Sequence, residues 1–422
     1  MLTKATLSRI RRTVRPQTSE GPLAAPAAAP RTLAADSPFE PHRVAAFPAA
    51  SSSRVLFVDL ARACAVVFMI QGHTLNVLLA PEYATGAFFS SWLFLRGLTS
   101  RLFLVLAGFA FTVATSRHWE ANRRLSARSW KRIRRFSFFV LLGYSMRFPV
   151  RHLRDLQFLG PAHWQYFLTV DILQCIGVGL LLLQLLVFLS KTRRRYAYAA
   201  AALCALVVVL TPMAEAGQWT AHTPMTLGAY LSTAGGSLFP FLPWGAYLLL
   251  GAALGGLYAD WGAARPRVFQ ARVLLAGGLA AIATGLLLQT WHLGPFSRAD
   301  FWSTSPNLFL VTGGSALVLL SGFAHAGQRL RRLPPVLQAL AQESLVIYFI
   351  HVCILYGSGW NPSLRALIGS HLGPIGTGAW IVVLVASMAL VAWSWNRLKR
   401  EYAWAATLTR LTAAAWVAYS IA

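Results

Sequence analysis

"DLARACAVVFMIQGH", residues 59–73, is an apolar run of the kind that crosses a bilayer, yet it carries Asp59, Arg62 and His73. A charge at the bilayer centre costs about 2.5–3.5 kcal/mol on insertion scales. Membrane helices keep such groups where they face other protein or a polar cavity. Asp59 and Arg62 are three apart and meet on one helix face. Arg62 and His73 are eleven apart, close to three full turns at ~3.6 residues each. All three therefore point the same way, into the protein interior. With the helix starting near Arg54, a rise of ~1.5 Å per residue puts Arg62 about 12 Å in and His73 about 28 Å in, near the far face. Two structural alternatives stand beside a functional one. Asp59–Arg62 is also a plausible register-fixing ion pair, and His73 a packing histidine.

The rest of the chain bears out the membrane reading. Of 422 residues, 56% are hydrophobic and only 12% charged, too apolar for an ordinary soluble protein of this length. The expectation is an all-α, polytopic bundle of about ten transmembrane helices. The apolar runs fall at roughly 55–79, 100–117, 134–149, 166–189, 196–213, 238–259, 271–291, 306–327, 343–358 and 376–396. Each approaches the ~20 residues a spanning helix needs, the run at 134–149 being the shortest. No internal repeat and no broken-helix pair is legible. "GAALG" at 251–255 fits close helix packing through small residues.

A net charge of +25 could suggest nucleic acid, but its distribution argues for a membrane and against a nucleic-acid partner. The basic residues cluster between the spans, in "RHWEANRRLSARSWKRIRR" (117–135), "KTRRR" (191–195), "RPRVFQAR" (265–272), "RLRR" (329–332) and "RLKR" (397–400). Every second connection is basic, so both termini are expected in the cytoplasm of a cell whose inner membrane holds the chain. The other connections carry Glu82, His152, Asp155, His163, Glu215, His222, Asp300 and His371, read as solvated loop residues. Residues 1–53, basic and then Ala/Pro-rich, have no apolar core of a secretory signal and read as a disordered cytoplasmic tail near anionic lipid. Residues 54–400 form the membrane domain. Residues 401–422, with Arg410 near the middle, read as an amphipathic interfacial helix or an eleventh span. Cys64, Cys175, Cys204 and Cys353 lie inside apolar runs without metal or disulfide spacing and read as packing residues.

Further polar groups sit inside the runs. Arg101 opens the second and Arg147 closes the third, both near the outer face, while Asp171 and Gln174 lie about one turn inside it and His351 near mid-depth. An ion pair with Arg101 or Arg147 is an alternative role for Asp171, and a hydrogen bond to a neighbouring helix one for His351. Their number favours a lined cavity. There is no phosphate-binding Gly loop, no zinc motif and no G-x-S-x-G elbow. A histidine near the outer surface suits general-base work, and a deeper arginine suits an anionic or thioester-bearing ligand from the cytoplasm. Residue chemistry alone leaves open an acyltransferase, a proton-coupled transporter or permease, and a lipid-handling protein.

Resemblance narrows this. "RVLFVDLARACAVVFMIQGH" (54–73) resembles the opening helix of the transmembrane acyltransferase superfamily, with Asp59, Arg62 and, after ten intervening residues, His73. "FPFLPWGAYLLLGAALGG" (239–256), "DILQCIGVGLLL" (171–182) and "LAQESLVIYFIH" (340–351) resemble the heparan-α-glucosaminide N-acetyltransferase catalytic branch, the last being shared with bacterial O-acyltransferases. The resemblance runs from about 54 to 396. The lysosomal enzyme of that branch places its catalytic His in the loop after the first conserved helix. The corresponding stretch here, "APEYATGAFFSSWLFLRG" (80–97), has no His, and the Arg-x10-His pattern points to His73 instead. The resemblance implies an acyl-CoA co-substrate, acetyl-CoA, bound with help from Arg62, and no metal. It implies a sugar or envelope-glycan hydroxyl or amine as acceptor, with His73 taking its proton. Asp171, Gln174, Arg101, Arg147 and His351 are second-tier pocket residues. The preponderance of Arg over Lys hints at GC-rich coding and a bacterium. Oligomeric state is not legible.

Overall fold

Twenty-three residues at ~1.5 Å each give helix α1 (Leu56–Leu78) a length of about 35 Å, enough to cross the ~30 Å hydrocarbon core. It starts after an extended Val55 and stops at an extended Leu79. Its apolar residues divide between two packing clusters. Val58, Ala61 and Ala65 join the larger one, while Ala63, Val66, Ile70, Val77 and Leu78 join the smaller. The first helix is thus the element shared by both halves of the membrane domain. The protein is known here from a computed structural model, which describes residues 55–150, 152–217, 223–294, 296, 299–302, 304–358 and 361–421. The expected tail (1–53) and His222 lie outside the described residues.

The other main helices are α2 (Gly86–Ser116), α3 (Trp119–Arg123), α4 (Ala127–Ser145), α5 (Pro161–Leu168), α6 (Ile172–Leu189), α7 (Arg193–Ala216), α8 (Met225–Leu231), α9 (Phe241–Gly262), α10 (Pro266–Thr290), α11 (Pro306–Arg329), α12 (Pro335–Gln342), α13 (Ser344–Tyr356), α14 (Pro374–Glu401) and α15 (Ala403–Ile421). The described residues form helices and no strands. Eight helices are long and apolar enough to cross a membrane, or nine if the bent pair α12–α13 counts as one span. That is fewer than the expected ten. The difference comes from α4, which is 19 residues long but carries Arg128, Lys131, Arg132, Arg134 and Arg135 in its first half. α15 is not among the candidate spans either.

Three boundaries differ from the sequence reading. Residues 86–97, read as loop, are the first turns of a 31-residue α2. Nothing after Gly86 breaks a helix there, and the hydroxyls of Ser90 and Ser91 donate back to the carbonyls of Gly86 and Ala87 at 3.1 and 2.9 Å, which masks their polarity. The expected span at 166–189 divides into α5 and α6, because Asp171 and Gln174 form a capping box at the start of α6. The expected span at 343–358 is only the second limb of a pair bent by 76° at Glu343. The Glu343 carboxylate is buried and takes Lys399 Nζ at 2.5 and 2.6 Å and Asn396 Nδ2 at 2.9 Å. A break that buries a paired carboxylate has no signature in an apolar run.

After Tyr356 the column is completed by loop. Residues 361–373 run back over the C-terminal end of α1, with Leu372 N donating to Leu78 O and Ala80 N to Leu372 O, both at 2.9 Å. Ser370 Oγ donates to Val77 O at 3.1 Å, and Asn361 Nδ2 to Cys353 O at 2.8 Å. Non-helical backbone at membrane depth needs such partners.

The large cluster is built on α2 crossing α9 with α7, α6 and α4 around them. Close approach of α2 and α9 depends on small residues. A Cβ on Gly108 would collide with the carbonyl of Leu248, and one on Gly251 with the carbonyl of Val105. This is the small-residue packing expected of "GAALG". Gly251→Val should therefore lower the thermal midpoint of detergent-purified protein by an amount corresponding to about 1–3 kcal/mol. Gly322→Val, at a position with open space around it, should leave the midpoint unchanged. Equal midpoints for the two variants would contradict the close crossing.

Candidate active site

The site is assembled where the last turns of α1, the first half of α2 and the end of α13 meet. His73, half-buried on α1, has its Nδ1 3.1 Å from the Tyr356 hydroxyl. The two rings stand edge to face with centroids 5.6 Å apart. The His351 ring lies 5.3 Å from that of His73 on another side, and Tyr348 stacks edge-on against His351 at 5.8 Å. His351 is fully buried. Its Nδ1 lies 2.7 Å from the Ile347 carbonyl of its own helix. A carbonyl can only accept, so Nδ1 carries the proton and Nε2 presents a lone pair. That Nε2 is buried and has no hydrogen-bond partner among the described residues. The expected hydrogen bond from His351 to a neighbouring helix is replaced by this bond within α13.

Arg96 completes the cluster. It comes from the stretch read as loop, which is why the sequence reading passed over it. Its Nη1 donates to Asn76 Oδ1 at 2.6 Å, and its guanidinium lies over the Trp92 ring at 5.5 Å. Its charge acts on both His73 and Tyr356. Gly72 makes the room, since a Cβ there would stand 2.9 Å from Arg96 Nε. Tyr356 and Tyr348 were likewise not singled out from sequence. Both sit in the apolar run "SLVIYFIHVCILY", where a tyrosine reads as packing.

The other candidates divide. Arg62 Nη1 lies 3.5 Å from Asp59 Oδ1, with Asp59 buried and Arg62 half-buried, so the predicted pair forms. It stays near the opposite end of α1, about 16 Å along the axis from His73. Arg147 Nη2 pairs with Asp171 Oδ2 at 3.0 Å, and Arg147 stacks over Tyr166. Asp171 also caps α6 by accepting from Ile172 N at 2.8 Å. Gln174 is fully buried, its Oε1 3.3 Å from Asp171 N and its Nε2 without a partner among the described residues. Arg101 does not open α2 but sits well inside it. It donates to Tyr247 OH at 3.2 Å and to Gly97 O at 2.6 Å and stacks on Trp244, so it braces α9. Among the described residues, no three His, Cys, Asp or Glu side chains are grouped to hold a metal.

Residues 54–288, more than half of the chain, match the family described as heparan-alpha-glucosaminide N-acetyltransferase, catalytic. The chain belongs to this family. Membership makes it an integral membrane acetyltransferase and decides against the permease reading. The family uses acetyl-CoA as donor and acts on a glucosamine-containing substrate. No curated protein matches the chain. The matched segment contains Asp59, Arg62, His73, Arg96, Arg147 and Asp171, while His351 and Tyr356 lie beyond it.

Proposed function

We propose that the chain moves an acetyl group from cytoplasmic acetyl-CoA to an amine or hydroxyl of a glucosamine-containing glycan at the outer face of the cell membrane, with His73 as general base. The observation that carries this reading is the placement of His73. It is the one half-buried imidazole of α1, oriented by Tyr356 and set against a second imidazole whose Nε2 is unsatisfied. In the step proposed, the acceptor nitrogen or oxygen attacks the thioester carbonyl, its proton passes to His73, and the C–S bond breaks with coenzyme A leaving as thiolate. The Tyr356 bond at Nδ1 fixes the ring so that Nε2 faces the reacting atoms. Arg96 supplies positive charge beside the carbonyl oxygen as it becomes negative. Arg62, held by Asp59, is the donor contact on the cytoplasmic side, and α15 lies along the interface.

The reading is tested by transfer of labelled acetyl from acetyl-CoA to glucosamine-terminated oligosaccharides by the purified chain. Transfer to neither amino- nor hydroxyl-terminated sugars would overturn the acceptor class. Orientation rests on the basic connections, and reporter fusions after residue 192 and after residue 236 should report opposite sides of the membrane. The same side for both would overturn it.

A further inference from the structure

A second feature lies at the other end of the bundle. A cavity of about 530 Å³ opens between the end of α2 and the α6–α7 connection, lined among others by Arg117, His118, Trp119, Lys191, Thr192 and Arg193. Arg117, Lys191 and Arg193 are exposed cations on its lining, with the exposed His118 beside them. Glu120, the one carboxylate on the rim, is taken by Arg123 at 3.1 Å. The N-terminus of α7 borders the cavity through Thr192 and Arg193, and its dipole adds positive potential. Trp119 also lines the cavity, is only 6% exposed and packs its ring on Tyr196, which fixes the wall there.

The depth of the cavity argues for the kind of anion it takes. Arg117 follows Arg96 by twenty-one residues along α2, about 31 Å, which is the whole hydrocarbon thickness. A phosphate held there sits at headgroup level, remote from His73. Below Lys191 the surface of α6 is bare and apolar, with Leu189 72% and Leu185 49% exposed, as the acyl chains of a lipid would require. Basic pockets at the cytoplasmic ends of membrane helices take anionic headgroups in this way. We propose that this cavity is a binding site for the phosphate headgroup of an anionic phospholipid, with its chains lying over Leu185 and Leu189. Its assignment to the cytoplasmic leaflet rests on the orientation proposed above; the site itself does not.

The test is native mass spectrometry of the full chain in detergent, titrated with phosphatidylglycerol, with phosphatidylcholine of the same chains, and with coenzyme A as a soluble phosphate probe. Phosphatidylglycerol should bind at least about tenfold more tightly than phosphatidylcholine, and coenzyme A should not displace it. Lys191→Gln with Arg193→Gln, both at exposed positions, should weaken phosphatidylglycerol binding about thirtyfold. Arg331→Gln with Arg332→Gln, which removes the same charge from another connection, should leave it unchanged. Equal effects of the two double variants would overturn the site. Displacement by coenzyme A would overturn the lipid and assign the cavity to the donor.

Discussion

Purified His73→Ala protein inserts, remains monodisperse and loses acetyl transfer by about two to four orders of magnitude, the range a positioned general base contributes. The loss is expected because no other residue reaches the same place with the same chemistry. His351 is the nearest imidazole, but its ring is locked by the bond to Ile347 and lies fully inside the protein. Tyr356→Phe keeps the ring and removes only the hydroxyl that holds His73. Its transfer rate should fall by about tenfold, the worth of one hydrogen bond, with little change in the Michaelis constant for acetyl-CoA. Labelled transfer and thermal unfolding measured side by side decide the matter. Near-normal transfer by His73→Ala would remove the catalytic role, and unfolding of that variant would mark a packing histidine.

The second large effect is expected at Arg62, where activity and stability should separate. Arg62→Lys keeps the charge but loses the planar fork that can hold Asp59 and a donor group together, so transfer should drop while the thermal midpoint changes little. Arg62→Ala strands the buried Asp59 carboxylate. That should cost about 3 kcal/mol, the lower end of the range for a broken buried pair, because Arg62 itself is only half-buried. Arg62→Ala combined with Asp59→Ala removes both charges and should recover the midpoint without recovering transfer. A double variant with normal transfer would confine the pair to a structural role.

Much of this architecture was readable before any coordinates. The apolar runs announced α1, α7, α10, α11 and α14 because spans of that kind are a matter of composition and length. The pairing of Asp59 with Arg62 followed from spacing, while depth left Asp171 open to either Arg101 or Arg147, and the fold gives it Arg147. What was not readable depended on contacts between distant segments. Arg96 joins the site only because α2 continues outward through residues that look like loop. Tyr356 acquires a role from a neighbour 283 positions away. Glu343 looks unremarkable in "LAQESLVIYFIH" until Lys399 and Asn396 close on it and the helix turns. Arg101 reads in the sequence as a pocket residue, and in the fold it stacks on Trp244 and bonds Tyr247.

The loop that finishes the column above α13 bears on where the acid of the reaction goes. α13 is 13 residues long, about 20 Å, and ends at Tyr356. His73 lies six residues before Leu79, so about 9 Å separate it from the outer end of its helix. Those 9 Å are faced by hydrogen-bonded loop, whose carbonyls and hydroxyls can be wetted, whereas the 20 Å in the other direction are packed helix. The shorter exit for a hydrogen ion on His73 is therefore past this loop, which is outward in the proposed orientation. If the departing thiolate is protonated from the cytoplasm, each turnover shifts one positive charge across the insulating layer. Its rate then becomes sensitive to the electrical potential of the membrane, by up to about 2.3 kcal/mol per 100 mV.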